Sequence, residues 1–257
     1  MTKTPHELLV QLAAVTPGQT LVDLGCGRGA TLKLLAHTTP DTQLVGVDLN
    51  PDTFTAVRRR IPGAAVVLAD LARPLPFADA STDVAISHNT LECLADPRWL
   101  LAEIARVLRP GGRAVLGHTD FETIVVTSAD RDLSRRVCLT YAQLPVRYRH
   151  MANADPQLGR RLPGLVRSSP LRLEDVHAHV SVALELAGQA RARTEEMATA
   201  VRRAAVQRLN HVTETELDRW LVELRAAAES GEFLFSETAY IAVARRPPTL
   251  APRKSCH

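Results

Sequence analysis

The chain has 257 residues, of which 46% are apolar and 4% aromatic, and a formal net charge of +3. This suits one large domain or a domain with an insertion. No apolar run reaches the ~18–20 residues that span a bilayer, and no basic start leads into one, so no secretory signal or stable membrane anchor is expected.

Arginine carries nearly all the positive charge, the lysines being Lys3, Lys33 and Lys254. Basic clusters at Arg58–Arg60, Arg202–Arg203 and Arg245–Arg246 read as solvated helix faces and a tail, not as a nucleic-acid surface. Cys26, Cys93, Cys138 and Cys256 form no CxxC pair and no metal spacing, so reduced thiols in a cytoplasmic protein are expected.

In chain order, Thr4-Pro5 starts a helix that runs to Ala14, with Leu8, Leu9, Leu12 and Ala13 at helical spacing. A strand over Thr20–Leu24 enters Gly25-Cys26-Gly27-Arg28-Gly29, and a helix follows over Ala30–Ala36. Glycine admits positive φ and lets a ligand approach without a Cβ in the way. Amides at the helix start favour a carboxylate or phosphate, so the loop reads as a nucleotide-type cofactor site.

A second strand, Gln43–Leu49, delivers Asp48 to its C-terminal end, about twenty residues beyond the glycines, where an acid accepts from ribose hydroxyls. An Asx turn into Asn50-Pro51-Asp52 is the competing role for Asp48. A helix over Pro51–Arg60, a third strand over Ala64–Leu68 ending at Asp70-Leu71, and a polar loop come next. Val84–Ser87 forms a fourth strand that ends at His88, and Pro97–Leu108 an amphipathic helix stopped by Arg109-Pro110-Gly111-Gly112. Arg113–Gly117 is the fifth strand, and His118-Thr119-Asp120-Phe121 leaves its end.

Five strand-then-helix units in succession predict a parallel sheet covered on both faces, with ligands beyond the C-terminal strand ends. Gly25, Asp48, Asp70, His88 and His118 all fall on that edge. Helices are expected over Ser128–Ala142, Asp155–Val166, Val182–Asn210 and Glu214–Ser230, with strands over Leu171–Val180 and Phe233–Ala244. The fold class is therefore α/β, a doubly wound seven-stranded sheet, mostly parallel, with helical inserts after strands 5 and 6. Residues 1–120 form the cofactor-binding half and 121–244 the helical inserts with the last two strands. The inserts read as a lid or substrate wall, and 245–257 as a disordered basic tail.

Several segments carry a family resemblance: Val22–Gly29, Gly46-Val47-Asp48-Leu49-Asn50, Ala69-Asp70-Leu71, Phe77–Val84 and Glu103–Gly112. Together they resemble class I S-adenosylmethionine-dependent methyltransferases, in particular the UbiE-like small-molecule group, over about residues 6–120 plus the last strand. The spacing Gly25-x-Gly27-x-Gly29 is shorter than the dinucleotide fingerprint and argues against NAD.

The resemblance implies S-adenosyl-L-methionine as cofactor, and a last strand antiparallel to the others. Gly25, Cys26 and Gly27 would lie close to its methionine part, with Asp23 orienting the loop. Asp48 would hold the ribose, Leu49 pack on the adenine, Asp70 accept from the adenine amino group and the Leu71 amide donate to the ring. The Ser87 carbonyl and His88 would meet the methionine amino group.

The sulfonium supplies the electrophile, so the protein has to align a nucleophile and exclude water. A hydroxyl or carbon acid also needs a base, and His88 and His118 are the candidates. For His88 a place in the cofactor wall competes with that role, and for His118 a hydrogen bond to a loop. Asp120, Tyr141, Tyr148 and Tyr240 are further candidates. His177 and His179 lack a third ligand, so no metal is assigned.

The expected function is in-line methyl transfer to an O, N or C nucleophile of a small organic acceptor, without nucleic acid and compatible with a homodimer. Arginine-rich, lysine-poor chains are common in high-GC bacteria, where such enzymes often tailor secondary metabolites. The alternatives are a quinone-type lipid precursor as acceptor, and a catalytically silent cofactor-binding or partner-binding protein.

Overall fold

In the computed structural model, residues 3–148, 151–206 and 212–248 are described. The elements are α1 (Pro5–Ala13), β1 (Thr20–Leu24), α2 (Ala30–Thr38), β2 (Gln43–Asp48), α3 (Pro51–Arg60), β3 (Ala65–Leu68), β4 (Thr82–His88) and α4 (Pro97–Val107). After these come β5 (Leu108–Val126), α5 (Arg131–Gln143), α6 (Leu158–Arg167), β6 (Arg172–Ala183), α7 (Gly188–Val206), α8 (Glu214–Ser230) and β7 (Phe235–Arg245). A single 3-10 turn, Leu91–Cys93, sits between β4 and α4.

The strands form one sheet in the order β3-β2-β1-β4-β5-β7-β6. The first five are parallel, and β7 runs antiparallel to both β5 and β6. The helix starts follow from local chemistry. Thr4 and Thr213 form capping boxes with Glu7 and Glu216, and Asn50, Asp96 and Asp130 cap α3, α4 and α5.

Three apolar clusters fill the molecule. One lies on the sheet face covered by α1, α2 and α3, around Leu9, Leu32, Val57 and Ile86. The second lies on the opposite face under α4 and α6, around Leu101, Ile104, Leu116 and Leu162. The third joins α5, α7 and α8 to the far ends of β5 and β7, around Tyr141, Met197, Trp220 and Phe235.

Several expectations need correction. β5 is 19 residues long, not five. It outruns β4 because β7 pairs with it antiparallel as far as Val126, so His118-Thr119-Asp120 lies inside a strand. No helix separates β3 from β4. Val182 and Ala183 close β6, held by pairing with Ser236 and Phe235, instead of opening α7. The predicted end of that helix, beyond Val206, lies outside the described residues.

α6 is a sheet-covering helix, since Leu158, Leu162, Leu165 and Val166 are buried in the α4-side core. Only α5, α7 and α8 build the separate cluster over the sheet end. Arg245 and Arg246, expected in a tail, belong to the fold. Arg245 ends β7 and pairs with Glu174, while Arg246 donates to the carbonyls of Arg106 and Leu108. Residues 249–257 lie outside the described residues.

Candidate functional site

β1 is buried from Leu21 to Leu24 between two parallel neighbours, which fixes where the glycine loop begins. Gly25, Gly27 and Gly29 have φ of +79°, +49° and +77°, the left-handed region that disfavours any Cβ. At Gly25 there is a second reason. A Cβ there would lie 2.1 Å from the Thr90 hydroxyl oxygen.

The loop folds against β2. The amides of Gly25 and Cys26 both donate to the Val47 carbonyl (2.8 and 3.0 Å), and the Gly29 amide donates to the Cys26 carbonyl (2.9 Å). The Gly27 amide donates to Asp48 Oδ2 at 2.9 Å. The amides of Gly25, Cys26, Gly27 and Gly29 are thus committed to the protein, and of these the Gly27 amide alone meets an anion, the Asp48 carboxylate.

Asp48 also accepts from the Asn50 amide at 2.9 Å through Oδ1, so the turn role and the loop role coexist. A carboxylate has about four acceptor positions, so both oxygens keep one for a ligand. Asp48 lines a cleft of about 840 Å³ together with Gly27, Arg28, Leu49, Asn50 and Thr53. Leu49 is 50% exposed. A carboxylate with spare lone pairs beside a bare apolar side chain fits a nucleoside, with hydroxyls on one and the base on the other.

Asp23 is buried, and burial followed by the neighbouring Asp48 charge raises its carboxyl to about 7. The Cys26 thiol turns inward, since a Cβ on Gly46 would meet its sulfur at 2.8 Å. Burial pushes that thiol up to about 12, so Cys26 offers the cleft only backbone. Asp70 Oδ1 accepts from the Ala72 amide at 2.9 Å, and the carboxylate remains 41% exposed. The Leu71 side chain is part of the α4-side core. The Ser87 hydroxyl, fully buried, donates to the Leu24 carbonyl at 2.9 Å and ties β4 to β1 beside the loop.

The two candidate bases separate. His88 pairs in register with Gly117, so strand alternation turns His88 and His118 to opposite faces of the sheet. His88 faces α1, edge-on to His6 with ring centroids 4.9 Å apart. His6 Nδ1 is in turn 2.9 Å from the Thr31 hydroxyl. His88 Nε2 is buried without a hydrogen-bond partner, and burial, then His6, His118, Arg193 and His179, hold its pKa well below the usual value.

His118 is fully buried, and its Nδ1 lies 2.7 Å from the Thr119 carbonyl. Burial lowers it to about 4, against the opposing hydrogen bond to Thr119 and the Asp120 charge. The partner is the next residue of β5 and not a loop, and Nε2 is left spare.

Sequence reasoning missed four residues here. Asn89, at φ +51°, clamps the interior of β5, accepting from the Thr119 amide at 2.8 Å and donating from Nδ2 to the Thr119 hydroxyl at 3.2 Å. Thr90 covers Gly25. Glu92 is buried and ion-paired with the equally buried Arg147. The string His88–Glu92 was legible at the right edge, but nothing in it marked Glu92 as buried. Arg147 lies in a stretch without a motif.

Asp120 is engaged by a two-pronged pairing with Arg160, and the Tyr141 hydroxyl donates to Glu196, so neither is a free base. His177 sits 3.1 Å from Asp175 on β6, away from the cleft residues. Among the described residues no group of three His, Cys, Asp or Glu is placed to hold a metal, and no helix is long and apolar enough to cross a membrane.

Residues 22–116 match the family model described as "Methyltransferase domain". An uncharacterized 37.1 kDa protein in a transposon of Streptomyces fradiae is 30% identical over 238 residues, 90% of this chain and 64% of that protein. The malonyl-[acyl-carrier protein] O-methyltransferase of Hahella chejuensis is 36% identical over 117 residues, 45% of this chain and 42% of that enzyme. The chain thus spans less than two thirds of these relatives. A crystal structure from Bacillus halodurans superposes with a TM-score of 0.62 at 19% identity, covering 95% of this chain and 100% of that one, a likeness of fold.

Proposed function

We propose that this chain is a class I S-adenosylmethionine-dependent methyltransferase that transfers a methyl group to a small organic acceptor, a reading supported by the match of residues 22–116 to the methyltransferase-domain model. The observation that carries this reading is Asp48. Its carboxylate is fixed by the Gly27 and Asn50 amides at the mouth of a cleft that also exposes Leu49.

In this reading the Asp48 oxygens take the two ribose hydroxyls, and Leu49 packs on the base. Asp70 and the Leu71 amide take the base edge. The backbone of Gly25, Cys26 and Gly27, with Asp23 behind it, lies along the methionine part, and the Ser87 carbonyl and His88 take its ammonium. When bound, the cofactor supplies the electrophilic methyl group. The chain's own tasks are to orient the acceptor, exclude water and accept a proton. His118 is the stronger base candidate, because its Nδ1 is fixed and its Nε2 is spare. His88 serves better as wall, shielded by His6. The cluster of α5, α7 and α8 closes over the sheet end and forms the acceptor wall. The substrates we propose are free small molecules, and a secondary metabolite is in keeping with the composition.

Calorimetry with S-adenosylmethionine and with S-adenosylhomocysteine tests the proposal. Saturable binding of both, with methyl transfer to an acceptor in a small-molecule library, supports it. Folded protein that binds neither refutes it, and binding without turnover on any acceptor favours a silent cofactor-binding protein.

A further inference from the structure

Beyond the loop, the third apolar cluster and the sheet enclose a set of polar atoms that the fold leaves without partners. His118 is fully buried. A carbonyl oxygen only accepts, so the 2.7 Å contact to Thr119 puts the ring proton on Nδ1. The neutral ring then carries a lone pair on Nε2, and that atom has no hydrogen-bond partner.

What Nε2 faces is Glu92 Oε1, 3.7 Å away. Glu92 is itself buried, and its other oxygen is taken by Arg147 Nη2. Two acceptors therefore confront one another in the dry interior with no hydrogen between them. Beside them, Arg147 Nη1 is a buried donor without an acceptor, its guanidinium held 4.2 Å over the Phe121 ring. Buried polar groups are ordinarily satisfied, and two orphans, His118 Nε2 and Arg147 Nη1, beside one carboxylate call for a ligand.

The orphans specify its chemistry. A hydroxyl donates one hydrogen and accepts another, which matches an acceptor pair beside a spare donor. A carboxylate brings only acceptors, and would add negative charge against Glu92 and the Nε2 lone pair. An ammonium leaves Arg147 Nη1 unmet and sets like charge against it. The site is also next to the cofactor loop in the chain: Thr90 covers Gly25, and Glu92 follows two residues on. Asn89 braces both sides of His118, donating its amide to the Gly117 carbonyl and clamping Thr119.

We propose that the acceptor is a neutral hydroxyl compound, an alcohol or phenol, seated between His118 Nε2, Glu92 and Arg147, and that the product is a methyl ether. This rests on the methyltransferase reading above. As the oxygen–carbon bond forms, the carbon–sulfur bond breaks and its electron pair stays on sulfur, giving the neutral thioether. The hydroxyl proton passes to His118 Nε2, and the imidazolium so formed lies against the Glu92 carboxylate before the proton leaves to solvent. The charged groups around His118 are Glu92, with Arg147 paired to it, Asp120 and Arg193, while His88 acts only through its charge from the opposite face of the sheet. Glu92 and Asp120 favour the protonated ring, while Arg193 and burial oppose it.

The test uses the full chain, labelled with 15N in histidine and saturated with S-adenosylhomocysteine. Nitrogen chemical shifts of His118 are expected to show a protonated Nδ1 and a bare Nε2 at pH 7. An imidazolium, or a proton on Nε2, overturns the proposal whatever the enzyme turns over. Libraries of hydroxyl, carboxylic acid and amine acceptors, read by release of S-adenosylhomocysteine, form the second arm. Turnover is expected only in the hydroxyl library, and turnover confined to acids or amines overturns the proposal.

His118→Asn and, as a second variant, His118→Gln are expected to lower kcat on a hydroxyl acceptor by about 10²–10⁴-fold. KM and the S-adenosylhomocysteine Kd should stay within a few-fold, and the acidic limb of the kcat–pH profile, where His118 of the wild type takes up a proton, should vanish. An unchanged kcat in a variant that still binds S-adenosylhomocysteine overturns the base assignment. Loss of S-adenosylhomocysteine binding by the wild-type chain would instead refute the cofactor reading.

Discussion

The Asp48 carboxylate carries two loads that a single substitution can separate. It accepts from the Gly27 amide and the Asn50 amide, both at 2.9 Å, and is proposed to accept from the ribose. Each hydrogen bond to a charged acceptor is worth about 1.5–3 kcal/mol where water is excluded. Asp48 is half-buried, so water reaches part of the site in the variant. A total loss of about 2–3 kcal/mol of stability in Asp48→Ala is therefore expected. For a chain of this length that lowers Tm by roughly 4–12 °C.

The nucleoside contacts add a separate loss. Two hydroxyl bonds to a carboxylate, weakened by solvent, correspond to about 1.5–3 kcal/mol, or roughly a 10–150-fold rise in the S-adenosylhomocysteine Kd. Thermal denaturation reads the first quantity and calorimetry the second, done well below the variant's Tm. A lowered Tm with a Kd within twofold of wild type refutes the ribose assignment. An unchanged Tm refutes the claim that Asp48 holds the glycine loop.

Asp23 should make stability pH-dependent. A carboxyl raised to about 7 in the fold from its ordinary value of about 4 is stabilising only while protonated, so the fold loses stability as pH rises from about 4 to about 7. Asp23→Asn should remove that loss and exceed wild type in urea midpoint at pH 8, by up to about 4 kcal/mol. Equal midpoints across that window would refute the burial argument. Gly25→Ala should cost about 3 kcal/mol or more, from the left-handed backbone and the collision with Thr90. Adding Thr90→Gly, which removes the hydroxyl, the methyl and the Cβ that a Gly25 side chain meets, should recover the collision and leave about 1–2 kcal/mol of backbone strain, measured by urea unfolding. Trp220 is fully buried and donates to the Ser134 hydroxyl at 3.2 Å. Trp220→Ala should cost about 3–5 kcal/mol of stability, with little change in S-adenosylhomocysteine Kd, since it lies in the α5–α7–α8 cluster away from the loop.

The first 120 residues were legible because their signals are local. A strand running into alternating glycines, an acid at the end of the next strand and a Pro-Gly-Gly stop all act over a few residues. Parallel pairing then brings those ends to one edge by geometry alone. Thr4, Asn50 and Asp96 cap their helices through their own neighbouring amides, so those boundaries could be read within a residue or two.

Tertiary structure decided what depends on contacts far apart in the chain. β5 continues to Val126 only because β7, more than a hundred residues later, pairs with it. α6 covers the sheet instead of the site because the α4-side core accepts Leu158 and Leu162. The Gly27 amide turned out to hold Asp48, because a hydrogen bond needs the folded distance and not the spacing. The Glu92–Arg147 pair joins residues 55 positions apart, so no motif could carry it. Burial alone made His118, Glu92 and Arg147 chemically consequential, since an unpartnered polar atom costs little in water and a great deal in a dry interior.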